Sequence, residues 1–279
     1  MKRLFGWFAL CGLALVAATS NAEAADTKIV LIAGTPSHPA GAHEFNAGTK
    51  LLVKCLKEVP GIDPVFVEGG WPKDESVFQG AKSVVFFMDG GGRHPMIQGE
   101  RLETMRKLMD QGVGLVCLHY AVEFPKGKVG DQILDWLGGY YETAYSDNPH
   151  NHAQIIPKSD HPITRGVKPF RVNDEWYFKI RFRPEDARVT PILTAEELVG
   201  HDKKTYRDQV VAWATERQGG GRAFGFTGGH FHTNWGDENF RTLVLNSILW
   251  SAKLEVPSEG IKCPVSVEEL AKNLDPKGK

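Results

Sequence analysis

A short apolar run near the middle of the chain, Gly112–Ala121, constrains the fold most strongly. It carries no Asp, Glu, Lys or Arg and starts with glycines, which is typical of a strand buried on both faces of an α/β sheet. His119 and Tyr120 follow at the point where the chain should leave the sheet. Because open α/β sheets bind ligands at the carboxyl ends of parallel strands, we expect a functional site there.

Strands and helices alternate along the rest of the chain. Apolar runs predict buried strands at 28–33, 64–67, 83–88 and 223–226, and further strands, some of them at the sheet edge, at 152–156, 189–193 and 210–214. Apolar residues at helical spacing predict helices at 45–59, 102–109, 132–137 and 238–252, with one more helical turn at 267–271. This rhythm predicts βαβ units and a mostly parallel sheet, with antiparallel pairing at its edge.

The N-terminus has the pattern of a cleavable signal peptide. Lys2 and Arg3 precede an apolar run, 4–18, and the small residues Ala22 and Ala24 follow it. The run is shorter than the roughly 20 apolar residues that a membrane-spanning helix needs. We therefore expect a signal peptide over 1–24, a periplasmic or secreted protein, an α/β domain over 25–255 and a C-terminal tail over 256–279.

Charge and cysteine content exclude several classes of protein. The formal net charge is −1 and no long basic run is present, so we expect neither nucleic acid nor, after signal cleavage, a membrane as partner. The mature chain would keep Cys55, Cys117 and Cys263, an odd number without a Cys-x-x-Cys pair. This argues against a disulfide framework and a zinc knuckle, and allows at most one disulfide.

Histidines follow four of the predicted buried strands. All ten histidines lie beyond the predicted leader. Those in the four loops are His38, His43, His94, His119, His230 and His232. Each alone is best explained as a turn histidine, but parallel strands would bring the loops to one edge of the sheet. Jointly they favour an active site in a single cleft.

Two other polar segments stand out. Asp89 is followed by three glycines, but their spacing matches no nucleotide-binding fingerprint, so close approach of the backbone to a ligand is the better interpretation. Asp174 and Glu175 stand beside Trp176 and Tyr177, which suits the hydroxyl groups and ring faces of a sugar. An exposed strand end explains that segment equally well. The long stretch 142–174 is the hardest to assign, and we expect it to form a lid.

Together these motifs resemble the trehalose-utilisation (ThuA-like) family. The similarity covers roughly 28–252 and depends on the segments Gly34-x-x-Ser-His-x-x-Gly-x-His-Glu44, Gly112-x-Gly-Leu-Val-x-Leu-His119, His161-Pro-Ile-Thr164, Asp174-Glu-x-Tyr177, Trp213, Gly220-Gly-Arg222 and Gly228-x-His230. The resemblance implies a class I glutamine amidotransferase-like fold, a flavodoxin-like, three-layer and doubly wound sheet. It also implies a link to the breakdown of glycosides through 3-keto sugars.

The implied fold raises the question of a cysteine nucleophile. In true amidotransferases a Gly-x-Cys-x-Gly elbow ends the central strand, and overlay places Cys117 at the nucleophile and His230 at the base. Leu115 and His119 stand where glycines would relieve the strained turn. We therefore expect Cys117 to be a buried strand residue, and keep a Cys117-dependent hydrolase as an alternative.

The favoured hypothesis is acid/base chemistry on a 3-keto glycoside, by isomerisation, aglycone elimination or hydrolysis. A keto group acidifies the neighbouring C–H, and histidine, with a pKa near neutrality, suits both proton transfers. We expect His119 and His230 to be the acid/base pair, with Glu175 orienting one of them or acting as base. The residues expected to bind the sugar are His38, His43, Asp89, Tyr120, His152, Asp174 and Tyr177.

Two alternatives stay open. In one, three of the imidazoles with Glu175 or Asp174 bind a divalent metal that polarises the ketone, although the hypothesis requires no cofactor. The nearest His-x-His pairs, at 230–232 and 150–152, lie in loops. In the other alternative, the protein is a non-catalytic periplasmic sugar-binding module. A small-molecule sugar or glycoside is the expected partner in every case, and a homo-oligomer is left open.

Overall fold

A computed structural model describes residues 26–277 of the chain. The predicted signal peptide, 1–24, lies outside the described residues and stays a prediction. Within the described part of the chain, every helix is too short or too polar to cross a membrane.

Nine strands form one mixed sheet, and two short strands pair separately. In chain order the strands are β1 (Thr27–Ala33), β2 (Ile62–Val67), β3 (Ser83–Phe87), β4 (Gly114–Leu118), β5 (Gly139–Tyr140), β6 (His150–Pro157), β7 (Phe170–Glu175), β8 (Arg181–Phe182), β9 (Val189–Val199), β10 (Thr205–Glu216) and β11 (Arg222–Phe226). The large sheet has the spatial order β2-β1-β3-β4-β11-β10-β9-β6-β7, and β5 pairs with β8.

The first five strands in this spatial order are all parallel, as the sequence predicts. β4 lies between β3 and β11, and every residue of it is buried. A strand covered on both faces has no exposed position for a charged side chain, which explains the uninterrupted apolar run. The chain leaves the sheet at His119, where the sequence predicts it.

The other four strands extend the sheet with antiparallel pairs. The strands predicted at 152–156, 189–193 and 210–214 correspond to β6, β9 and β10, each longer than predicted, and all three lie inside the sheet, whose edge on this side is β7. β7 is not predicted by the sequence pattern, because it is short and its polar residues outnumber its two apolar residues, Phe170 and Val172, so that it becomes a strand only through its pairing with β6. The expected lid over 142–174 is therefore wrong in part, since β6 and most of β7 lie in the sheet. β7 ends at Glu175.

Helices cover both faces of the parallel strands, which confirms the doubly wound α/β fold. They are α1 (Phe45–Lys57), α2 (Arg101–Asp110), α3 (Lys128–Trp136), α4 (Glu238–Ser251) and α5 (Val267–Leu270). Alternate residues of β1 serve two cores: Ile29 and Leu31 share one with α1 and α4, and Val30 and Ile32 share the other with α2 and α3. Each fully buried aliphatic side chain contributes about 1.5–3 kcal/mol to stability.

The C-terminal segment packs against the domain over its described length, 256–277. This C-terminal strap contains α5 at the predicted turn and is bonded to α1 by the Cys55–Cys263 disulfide. Its end returns to the start of α1, where Lys277 lies 3.3 Å from the Glu44 carboxylate. One disulfide therefore forms, within the predicted limit, and Cys117 is free and buried.

Candidate functional site

Three histidines from three loops meet at the carboxyl edge of the parallel strands. His43 lies in the loop after β1, His119 directly follows β4, and His230 lies in the loop after β11. The Nε2 atom of His43 is 2.9 Å from Nδ1 of His230 and 3.0 Å from Nε2 of His119. All three side chains are buried. The predicted convergence of strand-end histidines is confirmed for these three residues.

Glu175 adds a carboxylate to the three imidazoles. It reaches them from the end of β7, and its Oε2 atom lies 3.1 Å from Nδ1 of His230 and 3.5 Å from Nε2 of His119. Burial raises the pKa of this carboxyl, but the neighbouring His119 and His230 outweigh burial and hold it well below its usual range. Glu175 is therefore ionised and can accept hydrogen bonds or bind a cation.

The hydrogen bonds on the far side of two rings determine which nitrogen carries a proton. Nδ1 of His119 is 2.8 Å from the carbonyl oxygen of Thr227, and Nδ1 of His43 is 3.1 Å from Asp89 Oδ1. Burial raises the pKa of Asp89, but hydrogen bonds from His43 and Ser37 bring it below its ordinary value, so this carboxylate is ionised. The Asp89 carboxylate and the Thr227 carbonyl are therefore both hydrogen-bond acceptors. Each Nδ1 therefore donates, and in the neutral rings both Nε2 atoms present lone pairs.

Two lone pairs facing each other at 3.0 Å repel unless a positive charge lies between them. A proton on one ring would supply it, but burial lowers the pKa of His43 to about 3, against the raising effect of Asp89. A divalent cation is the other way to satisfy both atoms. Histidine ligands of metals commonly donate their second N–H to a carboxylate or a backbone carbonyl, as His43 and His119 do here.

The donor atoms present fit a divalent transition metal. The atoms are His43 Nε2, His119 Nε2, His230 Nδ1 and a Glu175 carboxylate oxygen, all within 4.8 Å of one another. Zinc bonds of about 2.0–2.2 Å would place tetrahedral ligands about 3.4 Å apart. Four separations between these donor atoms are 2.9, 3.0, 3.1 and 3.5 Å. Three imidazoles and one carboxylate suit zinc or another transition metal better than magnesium or calcium, which prefer oxygen ligands.

Three residues at this cluster have a left-handed backbone conformation. His38, His43 and His119 have φ angles of 63°, 49° and 53°, in the left-handed region that side chains with a Cβ rarely adopt. Such residues cost about 1–3 kcal/mol each and are most common at functional sites. The backbone N–H of His43 donates to the carbonyl of His230 at 2.9 Å, which joins two of the loops directly.

Comparison with known families and structures agrees with the fold and the motifs. The family model for ThuA, described as trehalose utilisation, matches residues 31–251. The chain belongs to the ThuA family. No curated protein matches it.

Two solved structures of putative ThuA-like proteins share the fold at low identity. The protein from Parabacteroides merdae is 18% identical, with a TM-score of 0.60, over 83% of this chain and 92% of that one. The protein from Bacteroides uniformis is 17% identical, with a TM-score of 0.61, over 84% of this chain and 95% of that one. The sheet of this ThuA-family chain is mostly parallel on one side and doubly wound, as the resemblance implies.

Cys117 does not occupy the strained turn of this ThuA-family chain. Its side chain is fully buried within β4, and burial raises the pKa of the thiol well above its usual value. The residue with positive φ at the end of β4 is His119. Cys117 is therefore the buried strand residue that the sequence predicts, and the position with positive φ at the strand end carries an imidazole.

Asp174, one of the residues predicted to bind sugar, lies behind the histidine loop. It is fully buried, and its carboxylate accepts backbone N–H groups of Gly229, His230 and Phe231 at 2.7, 3.0 and 3.3 Å. These three bonds hold the loop that carries His230. The structure therefore places Asp174 where it orients a neighbour of the site.

Four other predicted sugar-binding residues surround the cluster. His38 packs on His43 with 3.6 Å between ring centroids, and its side chain is 39% exposed. Asp89 holds His43, the ring of Tyr120 lies 5.9 Å from that of His43, and Tyr177 is buried 4.8 Å from His119. His38, Asp89 and Tyr120 also line a cavity of about 700 Å³ beside the cluster.

Three histidines that the sequence singles out do not join the cluster. His152 is exposed on β6, whereas His150 on the same strand has its ring 5.1 Å from that of His230. His94 is buried and bonded to the Ala121 carbonyl. His232 bonds the Leu270 carbonyl of the C-terminal strap. Alternation along β6 favours neither His150 nor His152, so the sequence offers no signal that separates them.

Proposed function

We propose that this ThuA-family protein is an exported, metal-dependent enzyme that acts on a sugar or glycoside, with a 3-keto glycoside as the first substrate to test. The observation that carries the proposal is the convergence of three imidazole nitrogens and one carboxylate oxygen at His43, His119, His230 and Glu175. Bound there, a divalent metal would act as a Lewis acid on a carbonyl or hydroxyl oxygen of the sugar.

The side chains of the chain itself would hold and orient the sugar. His38, Asp89 and Tyr120 stand between the cluster and the adjoining cavity of about 700 Å³, within the 300–1,000 Å³ common for small-molecule sites. His38 is the half-exposed imidazole of the group, and its Nδ1 lies 3.0 Å from the Ser37 hydroxyl. In this proposal His38 transfers the proton next to the keto group. The ring nitrogens of His119 and His230 donate their lone pairs to the metal instead.

A metal-free mechanism is the second candidate, and Glu175 is the observation that favours it. Its carboxylate oxygen lies within 3.5 Å of nitrogens on both His119 and His230. A carboxylate between two imidazoles can stabilise the protonated form of either ring. In this version His119 and His230 are the acid/base pair, as proposed from the sequence.

Export is supported by two independent features of the chain. The first 24 residues have the pattern of a secretory leader. The Cys55–Cys263 disulfide suits an oxidising compartment, since structural disulfides are rare in reducing cytosol. Sequencing the N-terminus of the protein recovered from the periplasm or medium tests this part, with Ala25 expected as the first residue.

The central experiment combines metal analysis with turnover. The purified protein should contain close to one equivalent of a transition metal by mass spectrometry, and should convert members of a 3-keto glycoside panel to products visible by NMR. Chelation should abolish turnover, and added zinc or manganese should restore it. Full activity without metal would favour the acid/base candidate, and saturable sugar binding without any product would favour a binding module.

Variants connect the activity to the cluster. His43→Ala, His230→Ala and Glu175→Gln should each lose bound metal and turnover, because each removes one of the four donors. His201→Ala is the matched control, since this histidine is exposed in the turn after β9 and pairs with Asp147 outside the four-residue cluster. Its metal content and activity should equal those of the wild type.

A further inference from the structure

The cavity beside the cluster differs from the cluster in its charged groups. It has a volume of about 700 Å³ and is lined by His38, Asp89, Trp71, Arg93 and Arg101, among other residues. It adjoins the cluster through Asp89, whose carboxylate bonds the His43 ring. A ligand in this cavity would therefore extend from the proposed reaction centre toward the two arginines.

Neither arginine of the cavity has a carboxylate partner within 4.0 Å among residues 26–277. Arg106, further along α2, is by contrast neutralised by carboxylates, since it forms ion pairs with both Glu103 and Asp110. Arg101 bonds the backbone carbonyl of Pro95, and Arg93 forms no ion pair in the described part of the chain. Both guanidinium groups therefore keep N–H donors for a ligand.

Arg101 is held in place before any ligand binds. Its Nη1 donates to the Pro95 carbonyl at 3.1 Å, and its guanidinium lies over the Trp71 ring, 5.7 Å from the centroid. Trp71 is itself fixed by a 2.7 Å hydrogen bond from Nε1 to Glu75. A guanidinium fixed on one side can offer its remaining N–H groups to a carboxylate or phosphate with little loss of side-chain entropy.

The acidic side chain that lines the cavity is already engaged. Asp89 accepts a hydrogen bond from the Ser37 hydroxyl at 2.9 Å and one from His43 Nδ1 at 3.1 Å. The ionic groups left for a ligand are thus donors, from Arg93 and Arg101. A neutral sugar presents hydroxyl donors as well as acceptors, and it would leave the two positive charges unmatched.

We infer that the cavity binds the anionic group of an acidic sugar, a carboxylate or a phosphate, through Arg93 and Arg101. This inference rests on the proposed function, because it assumes that the cluster is the reaction centre. The negative group would be held at the arginine end, and the reacting carbon would face His38 and His43. The preferred substrate class is therefore an oxidised sugar or glycoside that carries a uronic acid or a phosphate ester.

Calorimetric titration of the metal-loaded protein tests the inference at one fixed ionic strength. The probes are glucose, glucuronate and glucose 6-phosphate, which share a ring and differ in charge. We expect one or both acidic sugars to bind at least about tenfold more tightly than glucose. The comparison of glucuronate with glucose 6-phosphate identifies the anionic group as a carboxylate or a phosphate.

Arginine variants show whether the preference comes from this cavity. Arg93→Gln and Arg101→Gln should each weaken binding of the preferred acidic sugar about tenfold or more, and leave the affinity for glucose nearly unchanged. Arg106→Gln is the matched control, because Arg106 lies on the same helix as Arg101, pairs with Glu103 and Asp110, and does not line the cavity.

Three results would overturn the inference: equal affinities for glucose and the acidic sugars, no saturable binding of either acidic sugar, or unchanged affinity in both cavity variants. Metal content and chelator sensitivity are measured on the same preparations, so that the two proposals are separated. If the protein turned over neutral sugars and chelator stopped that turnover, the preference for acidic sugars would be contradicted but the proposed metal centre would not. If glucuronate bound in an arginine-dependent way to a protein that retains no metal, the proposed metal centre would be contradicted but the preference for acidic sugars would not.

Discussion

The ammonium group of Lys277 lies 3.3 Å from the Glu44 carboxylate in an ion pair whose side chains are 5% and 1% exposed. Lys277 also donates to the backbone carbonyls of Ala42 and His43. The other Glu44 oxygen accepts the backbone N–H of Asp275 at 2.6 Å. The end of the C-terminal strap therefore supports the strained segment that carries His43, far from it in sequence.

Removing the charge of Lys277 should destabilise the protein strongly. Lys277→Met leaves the Glu44 carboxylate buried without its cation, and breaking a buried ion pair from one side costs about 3–5 kcal/mol. Urea unfolding at neutral pH measures the loss. Lys272→Met, at an exposed position of the same strap, is the control and should change the free energy of unfolding by less than about 0.5 kcal/mol. A Lys277→Met protein as stable as the control would show that the pair contributes nothing.

The disulfide should contribute to stability because it fixes the strap on α1. Cys55 and Cys263 are separated by 208 residues, so the bond restricts a long loop in the unfolded chain. Replacing both cysteines by alanine should lower the free energy of unfolding by about 2–5 kcal/mol. Wild-type protein in reductant should behave like the double variant, and the double variant should not respond to reductant. Equal stability of wild type with and without reductant would contradict this expectation.

Because His94 is fully buried, we expect the protein to lose stability in mild acid. Burial lowers the pKa of this fully buried imidazole to about 3, whereas in the unfolded chain it is near 6.5. Below pH 6.5 the unfolded state therefore binds a proton that the folded state does not, and stability falls as pH falls toward 3. Between pH 7.5 and pH 5 this contribution is about 2 kcal/mol.

Urea unfolding of the wild type and His94→Asn at the two pH values isolates this contribution from that of other histidines. The variant loses the hydrogen bonds that His94 makes with the Ala121 carbonyl and the Met96 N–H, so it should be less stable at pH 7.5. Its further loss of stability at pH 5 should be smaller than that of the wild type. Identical pH dependence in both proteins would show that His94 does not titrate as its burial implies.

Asp89 should control metal affinity through His43. Its carboxylate receives the Nδ1–H of His43 at 3.1 Å and so orients Nε2 toward the cluster. Loss of such a partner typically weakens metal binding 10- to 100-fold. Asp89→Asn should therefore bind zinc about 10- to 100-fold more weakly in competition with a fluorescent chelator. Asp63→Asn, at an exposed position of β2, is the control, and equal zinc affinities in the two variants would contradict the role of Asp89.

Much of the fold and part of the site can be predicted from local patterns. The buried strands are predictable because an uninterrupted apolar run such as Gly112–Ala121, in a chain that alternates strands and helices, strongly favours a strand covered on both faces. The meeting of His43, His119 and His230 follows, because parallel strands end at one edge. The metal interpretation stays open at the level of sequence, since no local spacing shows which ring nitrogen faces which neighbour.

The sequence by itself determined the parallel strands, the helices and the loops in which the histidines lie, because hydrophobic period and turn residues act over a few positions. Only the tertiary structure decided that Glu175 arrives on an antiparallel strand, that Asp174 holds a loop, and that Lys277 supports His43. These relationships depend on register and packing between segments far apart in the chain. Sequence spacing carries no record of such contacts.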